Sequence, residues 1–452
     1  MKISYEVIKM QIQLSDHFTY KRLLCFVISP VLMIICGSLY SIVDGFFVSN
    51  FVGKTPFAAI NLMMPVIMAI GTLGFMIGTG GSAVVSITLG EGNPELANKY
   101  FSFLIYVAAG AGIVLSVLGF LFVRPISIFM GADHELLEDC ILYGRILFIG
   151  QTAFILQNVF QSLLITAEKP ALSLKVSVAA GLTNVIFDFL FIVVFHWGLA
   201  GAAVATVMGQ FVGGVLPLIY FLRPNTSLLR LTKTAFYGKT LLQTCINGSS
   251  EMVTNLSASI VSILFNFQLM RTAGENGVAA YGIIMYVNFI FMGVFVGYSL
   301  GSAPIISYHF GAGNHAELRN LFRKSITLMC GAGIILTVIA ELLAKPLVMI
   351  FASYDMELLN MTHHGFIIYS LAFLLMGINV WSSAFFTALN NGLVSATISF
   401  LRTLVFQIAL IFTLPALLGI DGIWLSVVLA EVLSFVVAII FFVAKRKKYQ
   451  YA

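Results

Sequence analysis

Charge is scarce in this chain. Only 10% of its 452 residues are Asp, Glu, Lys or Arg, against roughly 25% in a soluble globular domain. Hydrophobic residues make up 60%, and mean hydropathy is +1.00. The deficit excludes an ordinary water-soluble domain and points to an integral membrane protein. Cysteine is sparse as well. Cys25, Cys36, Cys140, Cys245 and Cys330 are scattered, mostly within apolar runs, with neither metal-ligand spacing nor a disulfide framework. Long polar stretches are missing. The longest connector, 222–239, contains RPNTSLLRLTKTAFYGK and is too short to form a soluble domain. No GxxxxGK[ST] run, HExxH run or Ser-His-Asp arrangement is visible. A nucleotide-driven pump and a hydrolytic enzyme are therefore not expected, and any pumping has to draw on an ion gradient. The net charge of +5 sits in short loops and at the ends, so it gives no reason to expect nucleic acid binding.

What fills the chain is helix-length apolar sequence. A spanning helix takes about 20 predominantly apolar residues. Twelve such stretches are centred near residues 33, 67, 110, 150, 181, 209, 252, 289, 331, 371, 406 and 433. The seventh, QTCINGSSEMVTNLSASIVSILF, is unusually polar. Placing both termini in the cytoplasm puts 19 of the 24 Lys and Arg on that side, Lys2, Lys9 and Arg402 included. Such a bias sets topology. Arg145 is expected within the fourth span, and MKISYEVIKMQIQLSDHFTYKRLL reads as a cytoplasmic lead-in rather than a signal peptide.

The chain also repeats itself. Gly90-Glu-Gly92-Asn93 returns as Gly311-Ala-Gly313-Asn314, Arg124-Pro125 as Lys345-Pro346, and Gly198-Leu-Ala-Gly201 as Gly419-Ile-Asp-Gly422, each 221 residues on. DHELL at Asp133 returns as DMELL at Asp355, one residue further. A constant offset argues for duplication. Six spans per copy is an even number, so the copies keep the same orientation. The expected fold is all-α, with twelve transmembrane helices in two six-helix bundles related by a pseudo-two-fold axis along the membrane normal. The lobes are expected at 1–221 and 222–452, with 222–239 as a cytoplasmic linker. Such paired bundles handle substrate between the halves by alternating access.

A charge at mid-membrane costs at least about 2.5 to 3.5 kcal/mol on insertion scales, so it should face the bundle interior or a water-filled cavity. The chain places Asp44, Asp188, Glu251 and Glu431 there. Asn184 and Asp188 are four apart and share a helix face. A hairpin turning near His196 and Trp197 brings Thr206 to the depth of Asp188, and Asp44 closes the first span. These carboxylates, amide and hydroxyl form a hard-oxygen set. It suits Na⁺, or a carboxylate pair sharing one proton, because two close carboxylates disfavour double ionisation. Asn247, Glu251 and Asn255, spaced by four, line one face of the seventh span. With Asn288 they are candidates for a substrate or proton site, and Asn379, Ser382 and Ser383 add polar groups on the tenth. Glu431 falls at the sequence equivalent of Gln210 and is read as structural. Tyr40, Met64, Tyr143, Met285 and Tyr286 are candidates for lining a greasy cavity, whose aromatic faces attract cations. His363 and His364 are adjacent and face different ways, so no two-His metal site is expected.

Val43-Asp44 at the end of the first span, Gly90-Glu-Gly92-Asn93, Asn184 with Asp188, and GAAxAT from Gly201 to Thr206 occur in this order on a duplicated framework. In this the chain resembles the multidrug and toxic compound extrusion family, and most of all its DinF/MepA-like bacterial members. The resemblance implies a bacterial plasma-membrane antiporter with cytoplasmic termini. It implies export of cationic or amphipathic organic compounds against Na⁺ or H⁺, without other cofactor, nucleotide or nucleic acid, and as a functional monomer. By resemblance the cation site falls on Asp44, Asn184, Asp188 and Thr206. Glu251 resembles a glutamate that some members pair with an acidic residue in the tenth span, and here that span carries none. The alternative reading is a flippase for a lipid or lipid-linked glycan. It would need several cationic side chains in the cavity, and only Arg145 is a candidate.

Overall fold

The computed structural model describes residues 12–352 and 355–452. Residues 1–11 of the expected lead-in, with Lys2 and Lys9, lie outside the described residues. The first half runs through α1 (Tyr20–Phe51), α2 (Lys54–Gly90), α3 (Pro94–Phe129), α4 (His134–Thr166), α5 (Pro170–Asp188) and α6 (Gly198–Leu222), with a π-helical segment, Phe189–Val194, directly after Asp188. The second half comprises α7 (Gly238–Gly311), α8 (His315–Ala352), α9 (Met356–Ser370), α10 (Phe373–Ala388), α11 (Gly392–Phe400), α12 (Phe406–Leu418) and α13 (Ile420–Tyr449). A second π-helical segment, Leu401–Val405, joins α11 to α12. Among the described residues, ten helices are long and apolar enough to cross a membrane, and α9 with α10, bent by 51°, makes an eleventh span if the pair is counted as one. The 74-residue α7 covers the positions expected for two spans. It breaks at Gly274, whose φ of 63° and ψ of −150° are not helical.

The apolar composition sorts itself as lipid solvent requires. Ile113, Val114, Val117, Leu121 and Phe122 of α3 are exposed, whereas Phe101, Leu104, Ile105 and Ala108 are buried. Seven helices carry an internal proline: Pro30, Pro65, Pro125, Pro217, Pro304, Pro346 and Pro415. Such breaks are tolerated in a bundle because neighbouring groups re-satisfy the freed backbone.

The repeated Gly-x-Gly-Asn motif has a structural cause in both copies. Gly92 and Gly313 adopt φ of 78° and 66°, a conformation glycine enters without steric cost. The following asparagine caps the next helix: Asn93 Oδ1 accepts from the Leu96 N–H at 3.2 Å, and Asn314 Oδ1 from the Glu317 N–H at 3.1 Å. The first glycine of each motif is a packing surface. A Cβ on Gly90 would collide with the Tyr308 carbonyl, and one on Gly311 with the Ile87 carbonyl. The ends of α2 and α7 thus lie backbone to backbone, the close approach that small residues permit in membranes.

The segment before α1 crosses this same end. The Leu14 N–H donates to Glu168 at 2.7 Å, in the loop between α4 and α5. The Phe18 N–H donates to Glu317 at 2.9 Å, in the first turn of α8. Leu14 and Phe18 are fully buried in the same apolar cluster. One short stretch of chain therefore ties a loop of the first half to a helix of the second.

Candidate functional site

The first-half acids meet. Asp44, near the end of α1, turns its carboxyl toward the Asp188 carboxyl and the Asn184 amide on α5. Asp188 is completely buried and Asn184 is 5% exposed. Neither oxygen of Asp188 receives a protein hydrogen bond, nor does Oδ1 of Asp44. Two ionised carboxylates have only acceptors to offer each other. A buried pair of this kind is stable only when a proton or cation lies between its members.

Thr206 belongs at the same depth. A Cβ on Gly209 of α6 would touch Ala180 O and Asn184 Cβ, and one on Gly201 would touch Phe191. Those two contacts fix an antiparallel register that sets Thr206 at the level of Asp188. Its hydroxyl donates to the Ala202 carbonyl of its own helix at 3.0 Å, which leaves its oxygen lone pairs as acceptors. The π-helical segment begins at the residue after Asp188, and such local widenings recur at functional sites. Tyr143, on α4, is 2% exposed and lies in the field of both aspartates. Its ring packs in the apolar cluster with Met63, Val123, Leu147 and Phe148. Tyr40, half-buried and one turn before Asp44, packs its ring against Gly181.

The second half is built differently. Sequence offsets of 221 to 222 set Asp44 against Phe265 or Asn266, Thr206 against Val427 or Val428, Asn184 against Val405 or Phe406, and Asp188 against Ala409 or Leu410. No acid site is repeated there. Among the described residues its buried acids are Glu317, in the first turn of α8, and Glu431, 2% exposed and paired inside the bundle. Arg402 Nη2 lies 2.8 Å from Glu431 Oε1, and Arg402 Nε lies 2.9 and 3.1 Å from Oε1 and Oε2. Asn379 donates to Glu431 Oε2 at 2.6 Å and to its backbone carbonyl at 2.8 Å.

The structure gives three polar residues partners that the sequence did not. Arg402, counted on the cytoplasmic side, is an interior cation, 11% exposed at the side chain. Asn379 serves Glu431 and not a cavity, and Ser383 bonds Ser395 and Ser399 of α11, each at 2.8 Å. Arg145 is exposed, its guanidinium 5.6 Å from the centre of the Phe120 ring.

Glu251 is half-buried on α7, and the Arg402 charge reaches it. Asn255 donates to the Glu251 carbonyl of its own helix at 2.8 Å. Asn247 instead holds Asn390 and the Gly392 N–H, fastening α7 to the start of α11. Asn288, 9% exposed, has an unpartnered Oδ1, and its amide nitrogen lies 4.0 Å from the Met285 sulfur. His364 pairs with Asp421 at 2.9 Å, apart from His363. Among the described residues no group of three or more His, Cys, Asp or Glu side chains converges to hold a metal. The oxygen set of the first half, with its amide and hydroxyl, suits a proton or an alkali ion.

Comparison with known proteins settles the family. The MatE family model matches residues 30–190 and again 251–413, and the second match begins 221 residues after the first. The chain belongs to the MatE family. Its curated relatives include the multidrug export protein MepA of Staphylococcus haemolyticus, 24% identical over 404 residues, covering 87% of this chain and 88% of that protein. MepA of Staphylococcus saprophyticus is 24% identical over 418 residues, covering 89% and 90%. Among solved structures, an outward-facing multidrug resistance MATE transporter of the MOP superfamily superposes with a TM-score of 0.90 at 20% identity, covering 96% of this chain and 98% of that one. A MOP superfamily transporter from Pyrococcus furiosus, described as having a binding pocket of reversed polarity, superposes with a TM-score of 0.88 at 19% identity, covering 96% and 98%. The fold is that of the MATE transporters, and the chain is a multi-pass transporter of the MatE family, not an enzyme.

Proposed function

We propose that this MATE protein is a multidrug exporter of the DinF/MepA-like branch. It antiports cationic or amphipathic organic compounds against Na⁺ or H⁺ across a bacterial plasma membrane. In this reading it has twelve spans in two six-helix lobes, 1–221 and 222–452, joined by the linker 222–239. Both termini are cytoplasmic and the monomer is the working unit. The observation that carries the proposal is the acid pair of buried Asp188 and half-buried Asp44, beside buried Asn184 and facing no basic side chain among the described ion pairs.

The pair works as a coupling device because its two states differ in cost. Empty, it holds negative charge in a low-dielectric bundle. Occupied by a proton or Na⁺ it is compensated, with Asn184 and Thr206 supplying neutral oxygens. Binding therefore shifts the balance between arrangements of α1, α5 and α6, and the shift equals the difference in ion affinity between those arrangements. Tyr40 stands one turn from Asp44 on the same helix and can pass that change toward the space between the halves. Glu251, Asn255, Asn288 and Met285 are the second-half residues assigned to substrate or proton. The MepA relatives are named as multidrug export proteins, which fits this assignment. The flippase alternative needs free interior cations. Arg145 is exposed and Arg402 is taken up by Glu431.

The test is transport in proteoliposomes with Na⁺ and H⁺ gradients imposed one at a time and a fluorescent organic cation as cargo. Gradient-driven accumulation in wild type, lost in Asp44→Asn and Asp188→Asn, is the expected result. Dye distribution indifferent to both gradients, or headgroup-specific lipid translocation in its place, would overturn the assignment.

A further inference from the structure

The two halves neutralise their buried acids by different means. In the first half Asp44 and Asp188 have no basic partner among the described ion pairs, and three of their four oxygens accept nothing. In the second half both oxygens of Glu431 are occupied, by the forked contact of Arg402 and by the Asn379 amide. We propose that the Arg402 guanidinium is a tethered cation: it fills, permanently and from within the chain, the place that a coupling ion would otherwise take in the second half, so that ion exchange is confined to the Asp44–Asp188 site.

Several features support this. The pair is internal, with Arg402 11% and Glu431 2% exposed at the side chain. It is not a surface bridge of negligible weight. Its geometry is the forked one that guanidinium makes with a carboxylate. The offset equivalents of Arg402 and Glu431 in the first half are Ala180 or Gly181, and Gln210, both uncharged. Charge was therefore placed, or lost, as a matched pair. Arg402 stands on the π-helical segment that follows α11. That segment resets the helix face, and the guanidinium meets Glu431 of α13. Glu251 from α7 and Tyr369 from α9 are the other titratable groups that the pair's charges reach. A cationic cargo arriving at Glu251 would meet a carboxylate already partly screened by a fixed positive charge. That favours weak, exchangeable binding over a trapped complex.

The inference rests on the first-half acids being the ion site, and its test reads ion binding without transport. The full-length protein carrying Asp44→Asn and Asp188→Asn is the parent. Its melting temperature is measured in Na⁺ against choline, and from pH 5 to pH 8. Arg402→Gln on this parent should add a rise of several degrees with Na⁺ or with acid. Adding Glu431→Gln should remove that response, and Arg402→Lys should behave as the parent. An Arg402→Gln protein with the parent's Na⁺ and pH responses overturns the proposal, as does a response that survives Glu431→Gln. If Arg402→Gln does not fold, the pair Arg402→Gln with Glu431→Gln decides. Folding with the parent's responses supports a pure counter-ion, and failure of the charge-free pair to fold means that the guanidinium is needed for packing and refutes it. Retained gradient-driven transport in the parent would refute the first-half site and the confinement of exchange to it, whereas the counter-ion role of Arg402 is decided by the melting responses, which separates the two readings.

Discussion

Asp44 and Asp188 face one another from α1 and α5 with no Lys, Arg or His paired to either among the described residues. Removing one negative charge from this buried pair should make the empty protein more stable, not less. Asp188→Asn, purified without Na⁺ at pH 8, is expected to melt above wild type. A ligand at 100 times its Kd stabilises by about 2.7 kcal/mol, and that increment should vanish in the variant if Na⁺ is the ion. Gradient-driven export should fall at least roughly tenfold, which corresponds to about 1.4 kcal/mol of lost coupling. A variant that melts lower and still exports would show that the pair is only structural glue.

Glu317 predicts the opposite sign. It is 6% exposed and receives the Phe18 N–H at 2.9 Å, the Asn320 amide at 2.8 Å and His17 Nδ1 at 2.6 Å. Truncation leaves the buried Phe18 N–H unpaired, at about 1 to 3 kcal/mol, whereas the exposed His17 can turn to water. Glu317→Ala should therefore lower the melting temperature, and Glu317→Gln, which keeps an acceptor, should restore part of the loss. Proteolysis between Ile12 and Thr19 should accelerate in the alanine variant, because Phe18 is held down through that carboxylate. Unchanged melting and cleavage would show that the lead-in is anchored by its apolar contacts alone.

Glu168 gives a pH dependence. It lies in the loop between α4 and α5, and burial pushes its carboxyl above the ordinary glutamate range, partly offset by the Leu14 N–H and by Lys169. A raised carboxyl binds more protons folded than unfolded, so this group makes stability fall as pH rises. The loss starts near the unfolded value, about 4.3, and is complete once pH has passed the raised one. Glu168→Gln should remove that decline and leave the melting temperature flatter from pH 4.5 to pH 7, relative to wild type. A steeper profile in the variant would reverse the assigned sign.

Much of this was legible in the residues. Low charge and apolar runs specify a membrane bundle, a fixed offset exposes the duplication, and the i, i+4 pair Asn184 and Asp188 with a hairpin to Thr206 locates the acid site. Other features escaped because they depend on which face of a helix meets which neighbour. The π-helical segments shift facing by a fraction of a turn without a sequence signature, so Arg402 is counted with the cytoplasmic charges and its inward facing is missed. Asn247 and Asn379 look like cavity polarity until the partners they satisfy, Gly392 and Glu431, are seen. The strap from Leu14 to Phe18 uses backbone donors, which no side-chain pattern announces.

Gly311 gives the sharpest steric test. A Cβ there would strike the Ile87 carbonyl, and one on Gly90 would strike the Tyr308 carbonyl. Both obstacles are backbone, so no rotamer change relieves them. Overpacking of this kind costs typically about 1 to 3 kcal/mol, and the whole cost falls on arrangements in which α2 and α7 touch at this end. An arrangement in which the ends part does not bear it. Gly311→Val should thus shift the population toward an opened α2–α7 end by roughly tenfold for each 1.4 kcal/mol. In a background lacking the five native cysteines, a cysteine at Leu89, 6% exposed in the closed contact, should react faster with a membrane-impermeant maleimide when Gly311→Val is present. Gly313→Ala, at a positive φ but with nothing within 4 Å of its Cβ position, should strain the turn without opening the seam. Equal acceleration by both variants would mean that general loosening, and not separation of the two halves, is being read.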